Sequence, residues 1–113
     1  MAAVEQIAAA HVRAEAAKAA HAAVKRVVRN AGDKATGRLI AAAILRDPPP
    51  LTTNLRVDAL LRSIPQVGPV ESARILETEQ LHDRHRLGRI TERQRLAIAA
   101  VLDPPVQSEA VAA

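Results

Sequence analysis

The chain contains no phenylalanine, tyrosine or tryptophan. Readers of single strands and RNA loops ordinarily stack unpaired bases on such rings. A nucleic-acid ligand would therefore have to be held through phosphate charge, main-chain amides and groove shape. Cysteine is also absent, which excludes disulfides, thiol catalysis and cysteine-based metal sites and fits a reducing cytoplasm. Long apolar runs are missing: Leu39–Leu45, the longest, falls far short of a bilayer span. Met1–Ala10 carries Glu5 and no leucine-rich run, so it does not read as a secretory leader, and a cytoplasmic location is expected. There is no strand pattern and no internal repeat.

What is present is alanine, and a modest excess of positive charge. With 113 residues the chain has room for one domain plus tails. Leu, Ile and Val concentrate between Leu39 and Leu102, where the core is expected, while the alanine-rich N-terminal third favours helix but buries little area. Lys and Arg number 16 against 12 Asp and Glu, a net charge of +4 that points to an anionic partner, nucleic acid or membrane surface, without choosing between them.

Hydrophobic spacing predicts an all-α chain: a long N-terminal helix, short helices, and a C-terminal helix–two-turns–helix module. Ala2–Asn30 has no Gly or Pro and reads as one helix, with Val24, Val27 and Val28 docking its last turns and the first turns projecting or fraying. Asn30-Ala31-Gly32 is its stop, Gly32 taking the left-handed conformation. Thr36–Arg46 forms a second helix, which closes an N-terminal region spanning 1–47. The run Pro48-Pro49-Pro50 makes 48–54 a stiff spacer, and 55–103 the C-terminal module. Within that module Val57–Ser63 is a very short helix with Asp58 as its N-cap. Ile64–Gly68 is a turn, and Pro69–Glu79 a helix burying Val70, Ala73, Ile75 and Leu76. Thr91-Glu92-Arg93-Gln94 is a capping box for a last helix whose apolar face is Leu96, Ala97, Ile98, Val101 and Leu102. Pro104-Pro105 stop it, and 104–113 reads as a disordered tail.

Catalytic and metal chemistry find no support in these residues. His11, His21, His82 and His85 form no His-x-His or His-x₃-His pair beside carboxylates, and His82 with His85 supply two ligands at most. Ser72 has no plausible nearby base, and no carboxylate pair marks a pocket. Neither a cofactor nor a small-molecule substrate is expected.

Two features point to phosphate. In Ile64-Pro65-Gln66-Val67-Gly68 a turn feeds a helix, so consecutive amides face outward at the positive end of the helix dipole while Val67 anchors the turn. Downstream lies a basic cluster, Arg84, His85, Arg86 and Arg89, with Arg93 and Arg95 just beyond and Asp83 and Glu92 as opposing charges. Guanidinium groups suit phosphate through their paired, planar donors. The candidate DNA contacts are thus Val67, Gly68, Val70 and Arg74 in and after the turn, with Arg84, His85, Arg86, Arg89, Arg93 and Arg95. The stripe Lys18, Lys25, Arg29 reads first as a solvated helix face, and second as a further DNA contact.

The stretch Arg56-Val57-Asp58-Ala59-Leu60-Leu61-Arg62-Ser63-Ile64-Pro65-Gln66-Val67-Gly68 resembles the opening of the helix–two-turns–helix module of actinobacterial integration host factors, of the mycobacterial and streptomycete type. The register continues through Ala73-Arg74-Ile75-Leu76, Arg86-Leu87 and Gln94-Arg95. Ala23-Val24-Lys25-Arg26, followed by a glycine-containing break and a second short helix, matches the family's layout upstream. The likeness covers roughly 20–102, strongly over the last 45 or so positions. Similar modules occur in a ribosomal protein of the small-subunit head and in some base-excision glycosylases, whose chemistry sits in other domains. The resemblance implies a nucleoid-associated, non-enzymatic protein. Such a protein binds duplex DNA with little sequence preference, alters its shape and assists phage site-specific recombination, so a recombinase complex is an implied partner. It also implies backbone contacts at Gly68 and neighbouring amides, and at Arg86 with its basic neighbours.

Gln66 stands where the family usually has a second glycine, Pro69 replaces a common lysine, Glu71 sits where a basic residue is usual, and Gly88-Arg89 is reversed relative to the family's order. These departures leave the fold intact and predict weaker binding than is typical. Two other readings stay open: RNA or ribosome association through the same module, and a protein–protein adaptor whose phosphate turn is inert.

Overall fold

The computed structural model describes residues 2–105, and the tail expected at Gln107–Ala113 lies outside the described residues. Five α-helices carry the chain: α1 (Ala2–Arg29), α2 (Lys34–Arg46), α3 (Val57–Arg62), α4 (Pro69–Glu77) and α5 (Glu92–Leu102). Among the described residues no strand forms; one isolated antiparallel bridge joins Arg56 and Arg86. The fold is all-α.

Each boundary has a local chemical cause. α1 stops where Gly32 takes φ +92°, the left-handed turn expected of it. α2 starts two residues earlier than its spacing predicts, because Asp33 accepts the Thr36 amide at 2.7 Å and the Thr36 hydroxyl at 3.1 Å. Those bonds, the amide first, hold the Asp33 carboxyl below the usual carboxylate range. α3 is not capped by Asp58. Its N-cap is Arg56, and Asp58 instead accepts the Ser72 hydroxyl at 2.6 Å, tying α3 to α4. α4 ends at Glu77 rather than Glu79: Gln80 turns left-handed at φ 59°, and the Leu81 amide reaches back to the Leu76 carbonyl at 3.0 Å. The capping box of α5 forms as its sequence predicts, Gln94 N–H to Thr91 Oγ1 at 3.0 Å and Thr91 N–H to Gln94 Oε1 at 2.9 Å.

α2 and α5 lie antiparallel and supply the closest helix pair. Each lends an arginine to the other's C-terminal carbonyls. Arg38 of α2 donates to Val101 O at 2.8 Å and Leu102 O at 3.2 Å, and Arg95 of α5 donates to Leu45 O and, at 3.2 Å, to Arg46 O. Arg46 closes the same pair on Asp103 at 2.8 Å. Last-turn carbonyls have no partner within their own helix and sit at the negative dipole end, so a guanidinium there meets both needs.

The core is aliphatic: Val28, Leu45, Val57, Leu60, Leu61, Ile64, Leu76 and Ile98 are its largest fully buried apolar side chains. α2 enters it across the Ile64-Pro65 turn at Gly37, where a Cβ would stand 2.7 Å from Pro65 Cδ. One core therefore spans both sides of the 48–54 segment, with Thr52 and Leu55 buried in it. That segment is a packed connection rather than a spacer.

Four residues assigned to apolar faces turn outward. Val27 is 55% exposed while Val24 and Val28 are buried, because α1 docks through a narrow stripe spaced by four. α4 buries Ser72, Ile75 and Leu76, which leaves Val70 (71%) and Ala73 on its outer side. α5 buries Ala99 with Ile98 and Leu102, so Leu96 is 41% exposed. Before Ala17 every α1 residue whose burial is described is exposed, and this half of the helix projects from a body that measures 67 × 28 × 27 Å with it.

Candidate nucleic-acid interface

α3 and α4 are joined by two successive turns. Ser63 and Ile64 amides close on Leu60 and Leu61 carbonyls, and Val67 N–H then closes on Ile64 O at 3.1 Å. Pro65 and Gln66 are the central residues of the second turn, and Gln66 has φ +68°, the left-handed value a turn of this kind requires. The strain falls on Gln66, while Gly68 is extended (φ −96°, ψ −174°), exposed, and forms the N-cap of α4. Val67 is buried and anchors the turn. Gly68 and Val70 amides thus stand at the open start of α4; Pro69 between them has none.

Glu71, in the first turn of α4, does not face an anion site unopposed. Lys34 donates to its carboxylate at 2.8 Å and Arg38 lies 3.8 Å from it, so two cations from α2 neutralise it. Arg74 is exposed on the outer side of α4 beside Val70 and Glu77.

The downstream arginines divide into two groups. Arg93 pairs with Glu79 at 3.2 Å, and Arg95 is committed to the end of α2. Arg95 serves the fold, whereas Arg93 keeps most of its side chain exposed beside Glu79, and no signal in the local sequence distinguishes the two. Arg84 and Arg89 are exposed and have no acidic partner among the described residues. Arg86 donates to Asn54 O at 2.8 Å and is held opposite Arg56 by the bridge, through Val57 N–H to His85 O (3.0 Å) and Leu87 N–H to Leu55 O (2.9 Å). His85, grouped with the arginines by sequence, is half-buried and its Nδ1 is taken by the His82 amide at 2.9 Å, so its ring is turned into its own segment and is not one of the outer contacts. Gly88 follows, its amide on Thr53 O at 2.8 Å and its Cα so close that a Cβ would overlap the Thr53 side chain. The Gly88-Arg89 order is what this contact demands.

Lys25 and Arg29, one turn apart on α1, line a groove with Arg56, Ala59, Arg62 and Ser63 of the α3 segment. Asp58 is the one carboxylate lining it; it is occupied by Ser72 and by Arg62 at 3.6 Å. Lys18 lies outside this groove and stands 4.0 Å from Glu15. Arg56 and Arg62 were not among the sequence-predicted contacts. Flanking Asp58 at short spacing, they read as a balanced helix, and the convergence with α1 exists in the tertiary structure alone.

The arrangement offers fixed positive charge, guanidinium donors and free amides, the equipment for holding a polyanion. Among the described residues, no group of three or more His, Cys, Asp or Glu is placed to hold a metal ion, and no helix is long and apolar enough to cross a membrane. No protein-family model matches the chain, and no curated protein or solved structure is detectably similar to it.

Proposed function

We propose that this chain is a non-enzymatic, nucleoid-associated protein that binds duplex DNA through its phosphates with little sequence preference and shapes it, in the manner of an integration host factor. The carrying observation is the groove between α1 and α3. Four cations from two separate stretches of sequence, Lys25 and Arg29 of α1 and Arg56 and Arg62 of the α3 segment, share one concave surface whose single carboxylate, Asp58, is taken by Ser72 and Arg62. Arg86 extends it across the bridge, and Arg84, Arg89, Arg74 and the amides of Gly68 and Val70 are the outer contacts. The absence of aromatic residues directs the reading to duplex backbone rather than stacked bases.

A salt-titrated mobility shift on unrelated random duplexes tests it. Affinities should be similar across sequences and fall steeply with salt. Replacing Lys25, Arg29 and Arg56 with Ala should flatten the log–log salt slope by roughly 0.9 unit per lost contact. An unchanged slope removes the groove from the interface, and a marked preference for structured RNA over duplex transfers the site to an RNA ligand.

A second reading, a protein-binding arm, has its own observation. Val4, Ile7 and Val12 are 65–70% exposed on the projecting half of α1. Such an arm suits a helical partner, including a recombinase complex assembled on the same DNA.

A further inference from the structure

We propose that His82 and His85 form an acid-released latch that holds the Arg84–Arg86 segment against the start of α3; the latch regulates the site described above and rests on that reading. The two rings lie with centroids 4.0 Å apart and planes tilted by 51°. His85 Nδ1 accepts the His82 amide at 2.9 Å, and His82 Nδ1 accepts the Arg84 amide at 3.2 Å. Both Nδ1 atoms must be bare to do this, which places the single proton of each neutral ring on Nε2. His85 Nδ1 also lies 3.4 Å from His82 O. A proton on Nδ1 could use that carbonyl, yet it would point two N–H groups at each other across the 2.9 Å contact.

The latch shapes the backbone on which the arginines sit. His85 O receives the Val57 amide and Leu87 N–H reaches Leu55 O, the pairing that sets Arg86 opposite Arg56. Protonating both rings converts two acceptors into donors facing donors and places two cations 4.0 Å apart. The surrounding charges are mixed. On the same segment Asp83 lies 3.9 Å from His82 Nδ1, and Arg84 and Arg86 flank the pair. From the α3 side Arg56 faces the segment across the bridge, and Asp58 and Arg62 of α3 and Glu77 of α4 line a shared groove with His82. The His82–Asp83 pair is well exposed and therefore weak. His85 has no carboxylate partner among the described residues, and its latch bond is the shorter one. Because charging either ring turns its Nδ1 acceptor into a donor, acidification is the condition that should release the segment.

Asparagine tests this directly, because its Oδ1 takes the place of Nδ1 as acceptor and does not titrate. Affinity for a random duplex is measured at about pH 7.5 and pH 5.5 for the wild type and the His82→Asn/His85→Asn variant; His11 and His21 remain in both. At the higher pH the two should bind alike. At the lower pH the wild type should bind about three- to tenfold more weakly, as loss of one or two hydrogen bonds implies, and the variant should be unchanged. Equal acid sensitivity in both proteins overturns the latch. So does tighter wild-type binding in acid, because added charge would then outweigh the lost geometry. Failure to bind any duplex at the higher pH defeats the DNA reading alone. The latch is then decided by nitrogen-detected NMR of the free protein: unprotonated Nδ1 on both rings, with His82 and Arg84 amides that shift as the rings charge, sustains it. Protonated Nδ1 on either neutral ring, or amides indifferent to charging, overturns it.

Discussion

At the residue scale, the turn glycines and the cap residues carry separable amounts of the fold. Gly88→Ala forces a methyl into the Thr53 side chain and, at 3.0 Å, against its carbonyl, in a segment pinned by the Gly88 amide. It should cost about 1–3 kcal/mol in urea unfolding, the range for an overpacked site. Gln66→Gly should do the opposite. Gln66 holds φ +68°, a conformation unfavourable to side chains, so glycine there should raise stability by roughly 0.5–1 kcal/mol after its extra unfolded-state entropy is subtracted. Asp33 gives an acid limb. Its folded value lies below the unfolded one, so its contribution is full above the ordinary carboxylate range and disappears as pH falls through the folded value. Thermal melts below about pH 4 should show a smaller acid loss for Asp33→Asn, which retains an acceptor for the Thr36 amide, than for the wild type.

At the element scale, helices with strong local signals were readable in advance. The Thr91–Gln94 capping box, the Gly32 stop and the Pro69 start all appear where the sequence puts them. Where a distant group intervened the cap changed and the start did not: α3 begins at Val57 as its spacing predicts, with that residue's amide taken by His85 O, and Asp58 serves Ser72 instead of a cap. The reciprocal arginines of α2 and α5 were legible only as charges, because a carbonyl acceptor leaves no mark in sequence. Arg38→Met and Arg95→Met should each lower stability by about 1.5–3 kcal/mol, the scale of a charge-assisted hydrogen bond. They act at opposite ends of the helix pair, so denaturant melts of the double variant should show near-additive losses. Under conditions where it is folded, Arg95→Met should bind duplex as the wild type does; a loss of affinity would return Arg95 to the interface.

At the scale of the whole molecule, the body and the arm differ in packing. Residues 3–16 are exposed throughout and contribute nothing to the buried cluster. Removing residues 2–16 should leave stability within roughly 1 kcal/mol, since unpacked helix adds little to a folded core. The same truncation should abolish capture of a helical partner if Val4, Ile7 and Val12 provide its seat. Duplex binding should persist, because Lys25 and Arg29 remain on the docked turns beside Arg56 and Arg62.

Sequence alone determined the helical class, the order of the helices and the site of the core, because composition, periodicity and caps act over a few residues. It also located the turn before α4, whose proline and glycine are local instructions. Tertiary structure decided which charges are free. It neutralised Glu71 with Lys34 and Arg38, paired Arg93 with Glu79, committed Arg95 to the end of α2, and brought Lys25 and Arg29 to Arg56 and Arg62. The physical reason is that a charge acts through whatever lies within a few ångströms of it, and for these residues the partners are 14 to 50 positions away along the chain.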